Sequence, residues 1–462
     1  MPHSRRDFLR GSACALGGLA LASSVESFGL VGALAQSSAA SDYRALVCVF
    51  MNGGNDCNNT VVDLGQFGAY DGTRNAAGLA IAQSSLLPVS PASGGSYGLH
   101  PSMPEFQTLF AQGRLAVVCN TGPLVEPLTR TTYQNGTGKK PLQLFSHSDQ
   151  VGLWQSAIAN NVAQTGWGGR VADRTAGLNG AATFPQVVTI AGISLFVTGL
   201  NARPLAIGDS NTSLANVLPL TMTGADANNS TRRTAFDQIR ALDANLVLVK
   251  AAADTRTGAL AARTALQSVS PVISTAFPNT TLGRQLLQVA RVIKASTDAS
   301  AGINMKRQIF FCNLGGFDTH SAQLGGQSTL LQQVSQAMNA FYGATVELGL
   351  QDKVTTFTLS DFGRTFSPSG TGAGAVGSDH GWGSHHFVLG GAVRGGSFYG
   401  RYPTLALGGP DDADNRGRWI PTTSVEQYAA TLAAWYGLTA ADFPAVFPLL
   451  DRFATPNLGF MS

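Results

Sequence analysis

Charge is the first scarcity in this 462-residue chain: Asp, Glu, Lys and Arg together make up only 12% of it. The net charge is +3, and no Lys/Arg block gathers it in one place, which sets nucleic acid aside as a partner. There are five cysteines and no C-x-x-C spacing, so a disulfide framework is not expected in a core this large. Cys48, Cys119 and Cys312 lie inside apolar strand-like runs, where a thiol behaves as a small hydrophobe. Cys57 lies in a loop, and a bridge from it stays open. No internal repeat and no heptad array is present, and no membrane span is expected in the mature chain. What the chain does have is apolar residues, 44% of the total, and 54 glycines. That composition describes a globular core under a Gly/Ser/Thr/Asn-rich surface, with length enough for one large α/β domain or two ordinary ones.

The first 35 residues read as an address. Ser4-Arg5-Arg6-Asp7-Phe8-Leu9-Arg10 matches the twin-arginine export pattern. A modestly apolar Gly/Ala-rich segment follows from Gly11 to about Ala22, and Ala33-Leu34-Ala35 offers a small-residue cleavage site before Gln36. The apolar stretch is shorter than the roughly 20 residues a membrane helix needs. Cys14 lies too near the Arg pair, and lacks the preceding Leu, for a lipoprotein cysteine. The expectation is a signal peptide over 1–35, the twin-arginine export machinery as first partner, and a periplasmic or secreted destination reached in the folded state.

Residues 36–462 are expected to form a single domain. Continuous apolar runs at 44–52, 115–120, 308–314 and 354–359 suit strands buried on both faces of a parallel sheet. Helical spacing marks 104–112, a segment starting near Ser146 and running to about 160, 231–253, 282–296, 330–348 and 424–436. Residues 161–230 read as a Gly/Asn/Thr-rich elaboration with short β-like pieces at 186–190 and 194–198. Buried strands alternating with helices predict a mostly parallel α/β sheet with right-handed crossovers.

Each main polar cluster follows the C-terminal end of one of these strands. Gly53-Gly54-Asn55-Asp56 follows the first, Gly315-Gly316-Phe317-Asp318-Thr319-His320 the third, and Ser360-Asp361-Phe362-Gly363-Arg364 the fourth. In open α/β sheets ligands bind outside the carboxyl ends of the strands, so these segments should meet on one edge. The fullest of them, Leu359 to Gly391, adds Asp379, His380, His385 and His386. Carboxylates mixed with imidazoles suit Zn²⁺, Mn²⁺ or Fe, and an all-carboxylate subset suits Mg²⁺ or Ca²⁺. The candidate metal ligands are therefore Asp56, Asp318, His320, Asp361, Asp379, His380 and His386, with His385 the alternative to His386. Arg364, a forked cation, is a candidate to hold the remaining oxygens of a bound anion. His147 with Asp149 reads as helix capping, and Asp411, Asp412 and Asp414 as a solvated loop.

GGNDCNNT, GFDTH, SDFGRT and DHGWGSHHFVLGG, together with the export signal, resemble a large bacterial family of twin-arginine-exported proteins. That family is of unknown function, with a fold related to alkaline phosphatases and sulfatases. The resemblance covers essentially residues 44–450. It implies a three-layer α/β/α sandwich and the superfamily's chemistry, hydrolysis or transfer at phosphate or sulfate esters on one or two divalent metals (Zn, Mn, Ca or Mg). It also implies the ligand order Asp56, a nucleophile near Ser146–Asp149, Asp318 with His320, Asp379-His380, then His385 or His386. Asp361, at the strand end, stands where the superfamily has its Asp-His pair. No nucleophile declares itself; Thr60, Ser146 and Ser148 are the candidates, with Cys57 after them, and a helix N-terminus would favour an anion near Ser146 or Ser148. The expected function is an exported metal-dependent hydrolase of phosphate or sulfate esters, on a small molecule or a polysaccharide. The alternative is a non-catalytic envelope protein of the same fold that binds a polysaccharide or a partner protein.

Overall fold

Strand β1, Arg44–Met51, carries seven buried residues in succession. In this computed structural model it lies inside a nine-stranded sheet. The structure describes residues 42–216, scattered positions between 231 and 242, and 246–267, 271–298, 302–372 and 374–462. The signal-like segment 1–35 and much of the expected helix 231–253 lie outside the described residues. Arg44–Ser462 forms one compact unit.

Strands β2 (Val61–Asp63), β3 (Leu87–Val89) and β4 (Tyr97–Leu99) make a small antiparallel sheet of their own. The main sheet adds β5 (Leu115–Gly122), β6 (Val187–Thr189), β7 (Leu205–Ala206), β8 (Arg307–Leu314) and β9 (Val354–Ser360). Strands β10 (Arg364–Ser369) and β11 (Gly377–His380) form a separate antiparallel hairpin. The main sheet is completed by β12 (Ser384–Leu389), β13 (Phe398–Tyr399) and β14 (Thr423–Ser424). Its order is β13-β5-β12-β9-β1-β8-β6-β7, with β14 also on β5. All of its pairings are parallel except those of β12, which runs antiparallel to β5 and β9. Because β12 is reversed, its first residues lie on the edge where its neighbours end.

The helices that matter here are α1 (Cys57–Thr60), α2 (Phe67–Arg74), α3 (Pro104–Ala111), α4 (Arg130–Gln134), α5 (His147–Ser156), α6 (Trp167–Thr175), α7 (Val247–Gln267), α8 (Thr281–Thr297), α9 (Gln323–Glu347) and α10 (Val425–Tyr436). They cover both faces of the sheet. Alternation along β1 sends Leu46, Cys48 and Phe50 into one core with Trp154 of α5, Trp167 of α6 and Tyr428 of α10. On the other face Phe387 meets Phe106 of α3 edge-on at 4.9 Å, α8 packs on β8, and α9 packs on both α8 and α3. The result is a three-layer α/β/α sandwich with a mixed, mostly parallel sheet.

The structure departs from the expected elements in two places. The β-like piece at 194–198 is a short 3₁₀ helix, Leu195–Val197. Its Phe196 packs on Trp167 at 4.8 Å, and that packing outweighs the strand propensity of the run. The Gly/Ser/Thr-rich part of 364–380, which no apolar run marks as a strand, is the β10–β11 hairpin, with Arg364 directly opposite His380.

Cys48, Cys57, Cys119 and Cys312 are all free and buried. Cys57 lies in α1 and its thiol donates to the Gly383 carbonyl at 3.6 Å; burial pushes its pKa up to about 12. Among the described residues no helix is long and apolar enough to cross a membrane.

Candidate metal centre

At the carboxyl edge of the sheet, Gly53 leaves β1 with φ of +118°, and a side chain there would lie 2.4 Å from the Asp318 backbone nitrogen. Only Gly allows that approach. It lets the turn after β1 lie directly against the Gly-Gly-Phe-Asp turn after β8. The Gly53 N–H donates to Asp361 Oδ1 at 3.0 Å, which ties the end of β9 to the same point. Three strand ends separated by tens to hundreds of residues are thereby locked together.

The β10–β11 hairpin and the first turn of α5 complete the site. Asp318 Oδ1 is its centre. His320 Nε2 lies 3.0 Å from that oxygen, His147 Nε2 3.4 Å and His380 Nε2 3.6 Å. His320 Nε2 and His380 Nε2 are also 3.0 Å apart. Arg364 donates to the same oxygen. Burial works against charge on Asp318, but Arg364, His320 and His147 hold its carboxyl below the usual range. Burial lowers the His380 pKa, and the nearby His147, Arg364 and His320 lower it further.

The other ring nitrogen of each histidine faces an oxygen acceptor. His147 Nδ1 lies 2.8 Å from Asp361 Oδ2, His380 Nδ1 lies 2.7 Å from the Phe145 carbonyl, and His320 Nδ1 lies 3.4 Å from Asp379 Oδ1. An acceptor at Nδ1 fixes the hydrogen there in the neutral ring and leaves Nε2 as a bare lone pair. The three Nε2 atoms converge on one carboxylate oxygen, with Arg364 Nη1 3.5 Å from that of His320. His147 Nε2 is buried without a hydrogen-bond partner. Electron-rich atoms gathered in this way call for a cation between them.

The donors fit a metal ion. Two atoms about 2.0–2.2 Å from one zinc-like ion at the tetrahedral angle stand about 3.3–3.6 Å apart. The separations of 3.4 and 3.6 Å from Asp318 Oδ1 to His147 and His380 Nε2 match that spacing. Donor atoms of His147, Asp318 and His380 all lie within 4.8 Å of one another. Asp361 behind His147, and the Phe145 carbonyl behind His380, are the orienting partners that metal-bound imidazoles commonly have.

The remaining candidates are placed elsewhere or in other duties. Arg364 is fully buried. Its guanidinium donates to the carbonyls of Gly54, Ser378, Gly53 and Phe317 at 2.9–3.1 Å as well as to Asp318, so it clamps the turns and presents no open fork. Asp361 is fully buried and orients His147. Asp379 pairs with Arg416 and His320. Asp56 is buried away from this cluster: it caps α1 and is held by Arg74, Gln323 and Asn58. Thr60 is fully buried, and its hydroxyl donates to the Asp56 carbonyl at 2.8 Å.

His386 points into the core, its ring 4.6 Å from Trp154. His385 faces the other side of β12, where its Nδ1 accepts from the Asn120 N–H at 3.0 Å. Burial lowers both of these pKa values to about 3. Ser146, just before α5, donates to Asp149 Oδ2 at 2.6 Å, one residue from His147. Asp412, in the loop read as solvated, is fully buried and accepts backbone N–H groups from Gly408, Asp414 and Arg418.

His147 is the residue that capping logic undervalued. The available signal was its position, in the first turn of a helix between the two candidate hydroxyls Ser146 and Ser148.

The chain belongs to the family described as "Protein of unknown function (DUF1501)", which matches residues 43–416. No curated protein matches it in sequence. Among solved structures it is similar to the phosphonate monoester hydrolase of Agrobacterium radiobacter, with 9% identity over 86% of this chain and 74% of that one and a TM-score of 0.32. It is also similar to the PsFucS1 sulfatase from Pseudoalteromonas sp., with 8% identity over 81% and 68% of the two chains and a TM-score of 0.30. A third is the periplasmic domain of EcEptC from Escherichia coli in complex with Zn, with 9% identity over 76% and 73% and a TM-score of 0.29. At these scores the likeness says nothing about chemistry.

Proposed function

We propose that this protein is an exported, metal-dependent hydrolase of phosphate or sulfate esters. The observation that carries the reading is the meeting of three imidazole Nε2 atoms on Asp318 Oδ1 at a sheet edge. His147, Asp318 and His380 would hold the ion, with His320 beside them. A divalent ion bound there supplies a Lewis acid that stabilises negative charge developing on the ester oxygens.

The chain's own groups do the rest. Asp361 and the Phe145 carbonyl keep the hydrogens of His147 and His380 on Nδ1, so that Nε2 faces the ion. Arg364 fixes Asp318 and the turns after β1 and β8. Ser146, adjacent to His147, stands at the N-terminal end of a ten-residue helix that favours an anionic group. In this reading its oxygen forms the new bond to phosphorus or sulfur, the ester C–O–P or C–O–S oxygen departs and takes a proton from water, and Asp149 accepts the Ser146 proton. Water then hydrolyses the seryl ester. Export through the twin-arginine machinery rests on the Ser4–Arg10 motif, and the substrate belongs to small-molecule or polysaccharide esters.

The second reading, a non-catalytic envelope protein of this fold that binds a polysaccharide or a partner protein, is favoured by the closure of Arg364 against four carbonyls. One experiment separates the two. The purified chain is assayed on nitrophenyl phosphate, a phosphodiester and a sulfate with Zn²⁺, Mn²⁺, Ca²⁺ and Mg²⁺. The enzyme reading expects turnover of at least one ester, abolished by Asp318→Ala and by His380→Ala. No turnover with any ion, or turnover that survives both substitutions, sinks it.

A further inference from the structure

We infer that this site takes a single ion of the imidazole-preferring class, Zn²⁺ before Mg²⁺ or Ca²⁺, and that arginines stand where further metal charge would otherwise be needed. The inference rests on the metal-dependent reading above and narrows it. It comes from counting which side chains have atoms left to give.

Among the described residues there are six histidines, and three of them are committed elsewhere. His385 accepts from Asn120 N–H. His386 is fully buried with its Nδ1 on Thr358 Oγ1 at 3.3 Å, and its Nε2, which has no hydrogen-bond partner, lies in the apolar core beside Trp154, away from the sheet edge. His100, also buried, accepts the Ser102 N–H at 3.1 Å. The three left are His147, His320 and His380, and they share one carboxylate oxygen.

The carboxylates divide in the same way. Asp56 would be the natural start of a second ion site, since it follows the strand next to β8. Its carboxylate is instead matched by Arg74, both side chains being 0% exposed, with Gln323 and Asn58 adding donors. The guanidinium neutralises Asp56 inside the protein, as a second cation would otherwise have to. Asp361 uses one oxygen on Gly53 N–H and the other on His147. Asp379 is shared by Arg416 and His320. Asp149 takes the hydroxyls of Ser146 and Ser148. Of these, only Asp318 faces bare nitrogens.

One carboxylate with two or three imidazoles is a borderline-soft donor set that favours Zn²⁺ and its late first-row neighbours. Mg²⁺ and Ca²⁺ prefer sites made of oxygen ligands. The contact of 3.0 Å between His320 Nε2 and His380 Nε2 also excludes two bare lone pairs with nothing between them. Either a proton or the ion must lie there.

The test counts ions and does not depend on activity. The full chain is stripped with a chelator, its fold checked by circular dichroism, and titrated with Zn²⁺, Mg²⁺ and Ca²⁺ by calorimetry. Bound metal is counted by inductively coupled plasma mass spectrometry. The expected result is one Zn²⁺ per chain, undisturbed by equimolar Mg²⁺ or Ca²⁺. His147→Ala and His380→Ala should each remove it. Asp361→Asn, which loosens His147 without touching the ion, should weaken Zn²⁺ about 10–100-fold. Asp56→Asn should leave the count at one wherever the variant folds, and the wild-type count decides the matter if it does not. Two ions per chain, tighter binding of Mg²⁺ than of Zn²⁺, or one Zn²⁺ that survives both histidine substitutions overturns the inference. One Zn²⁺ bound as described, with every ester left intact, upholds it and rejects the hydrolase reading instead.

Discussion

Asp56 and Asp318 begin as near equivalents. They follow adjacent parallel strands whose last residues, Met51 and Leu314, are paired, and each lies at the end of a Gly-Gly-x-Asp turn. Their fates differ completely. Asp56 becomes the cap of α1 and is fully enclosed by Arg74 and Gln323. The Asp318 side chain stays 47% exposed and gathers three imidazoles. The motif sets where the carboxylate emerges, but what it does there depends on which remote segment arrives opposite. For Asp56 that segment is α2 with its Arg74; for Asp318 it is the start of α5 and the end of β11.

The sharpest way to break this comparison is to remove each carboxylate. Asp56→Ala strands Arg74 as a buried unpaired charge, and stability should fall by about 3–5 kcal/mol in denaturant titration. Asp318→Ala should cost the metal-free protein less, about 1–3 kcal/mol, because Arg364, although fully buried, keeps the carbonyls of Gly53, Gly54, Phe317 and Ser378 as acceptors. It should, however, abolish the stabilisation by Zn²⁺, which for the unaltered protein reaches about 2.7 kcal/mol at a hundredfold excess over Kd. Equal losses from the two substitutions would erase the distinction between a structural and a binding carboxylate.

Gly54→Ala probes the shared scaffold beneath both turns. The residue has φ of +84°, and a Cβ would lie 2.3 Å from the Phe362 ring, which itself stacks on His380 at 4.7 Å. A loss of about 1–3 kcal/mol in stability is expected, together with weaker Zn²⁺ binding in the same calorimetric assay. Unchanged metal affinity would show that Phe362 does not set the His380 position.

The two core histidines allow a contrast with the three at the site. Burial holds His385 and His386 at about 3, against about 6.5 in an unfolded chain. Between those values the unfolded state binds more protons. Stability is therefore full above about pH 6.5 and falls as the pH drops, by up to about 1.4 kcal/mol per pH unit for each ring. His386→Phe should flatten part of that slope in urea titrations run from pH 7 to pH 4. A slope left unchanged would mean that His386 is not neutral and buried.

The smallest effect is expected from Asp379→Asn. Its partner Arg416 is 41% exposed, so thermal unfolding should register less than about 1 kcal/mol. Any larger loss would place Asp379 closer to Asp56 than to a rim group.

Much of this was legible before any fold was drawn. Four continuous apolar runs mark β1, β5, β8 and β9, because a strand covered on both faces by helices has no polar side to display. The rule that polar clusters follow strand ends brought Asp318, His320 and Asp361 to one edge. Less visible was the β10–β11 hairpin, whose Gly, Ser and Thr carry no alternation strong enough to read. Hidden too was the role of His147, since a polar residue in a first helical turn has a sufficient local explanation in capping. Asp361 and Asp379 were both expected as metal ligands. The structure sets both behind histidines, with Asp318 in front.

By itself, then, the sequence determined the parallel α/β layering, the burial of Cys48, Cys119 and Cys312 and the edge on which chemistry could gather. Those depend on hydrophobic pattern and chain direction, which are local. Only the tertiary structure decided which donors remain bare. That depends on Arg74 closing Asp56, on Arg364 clamping three turns, and on Asp361 and Phe145 fixing the hydrogens of His147 and His380. Each is a contact across tens to hundreds of residues, and spacing along the chain cannot express it.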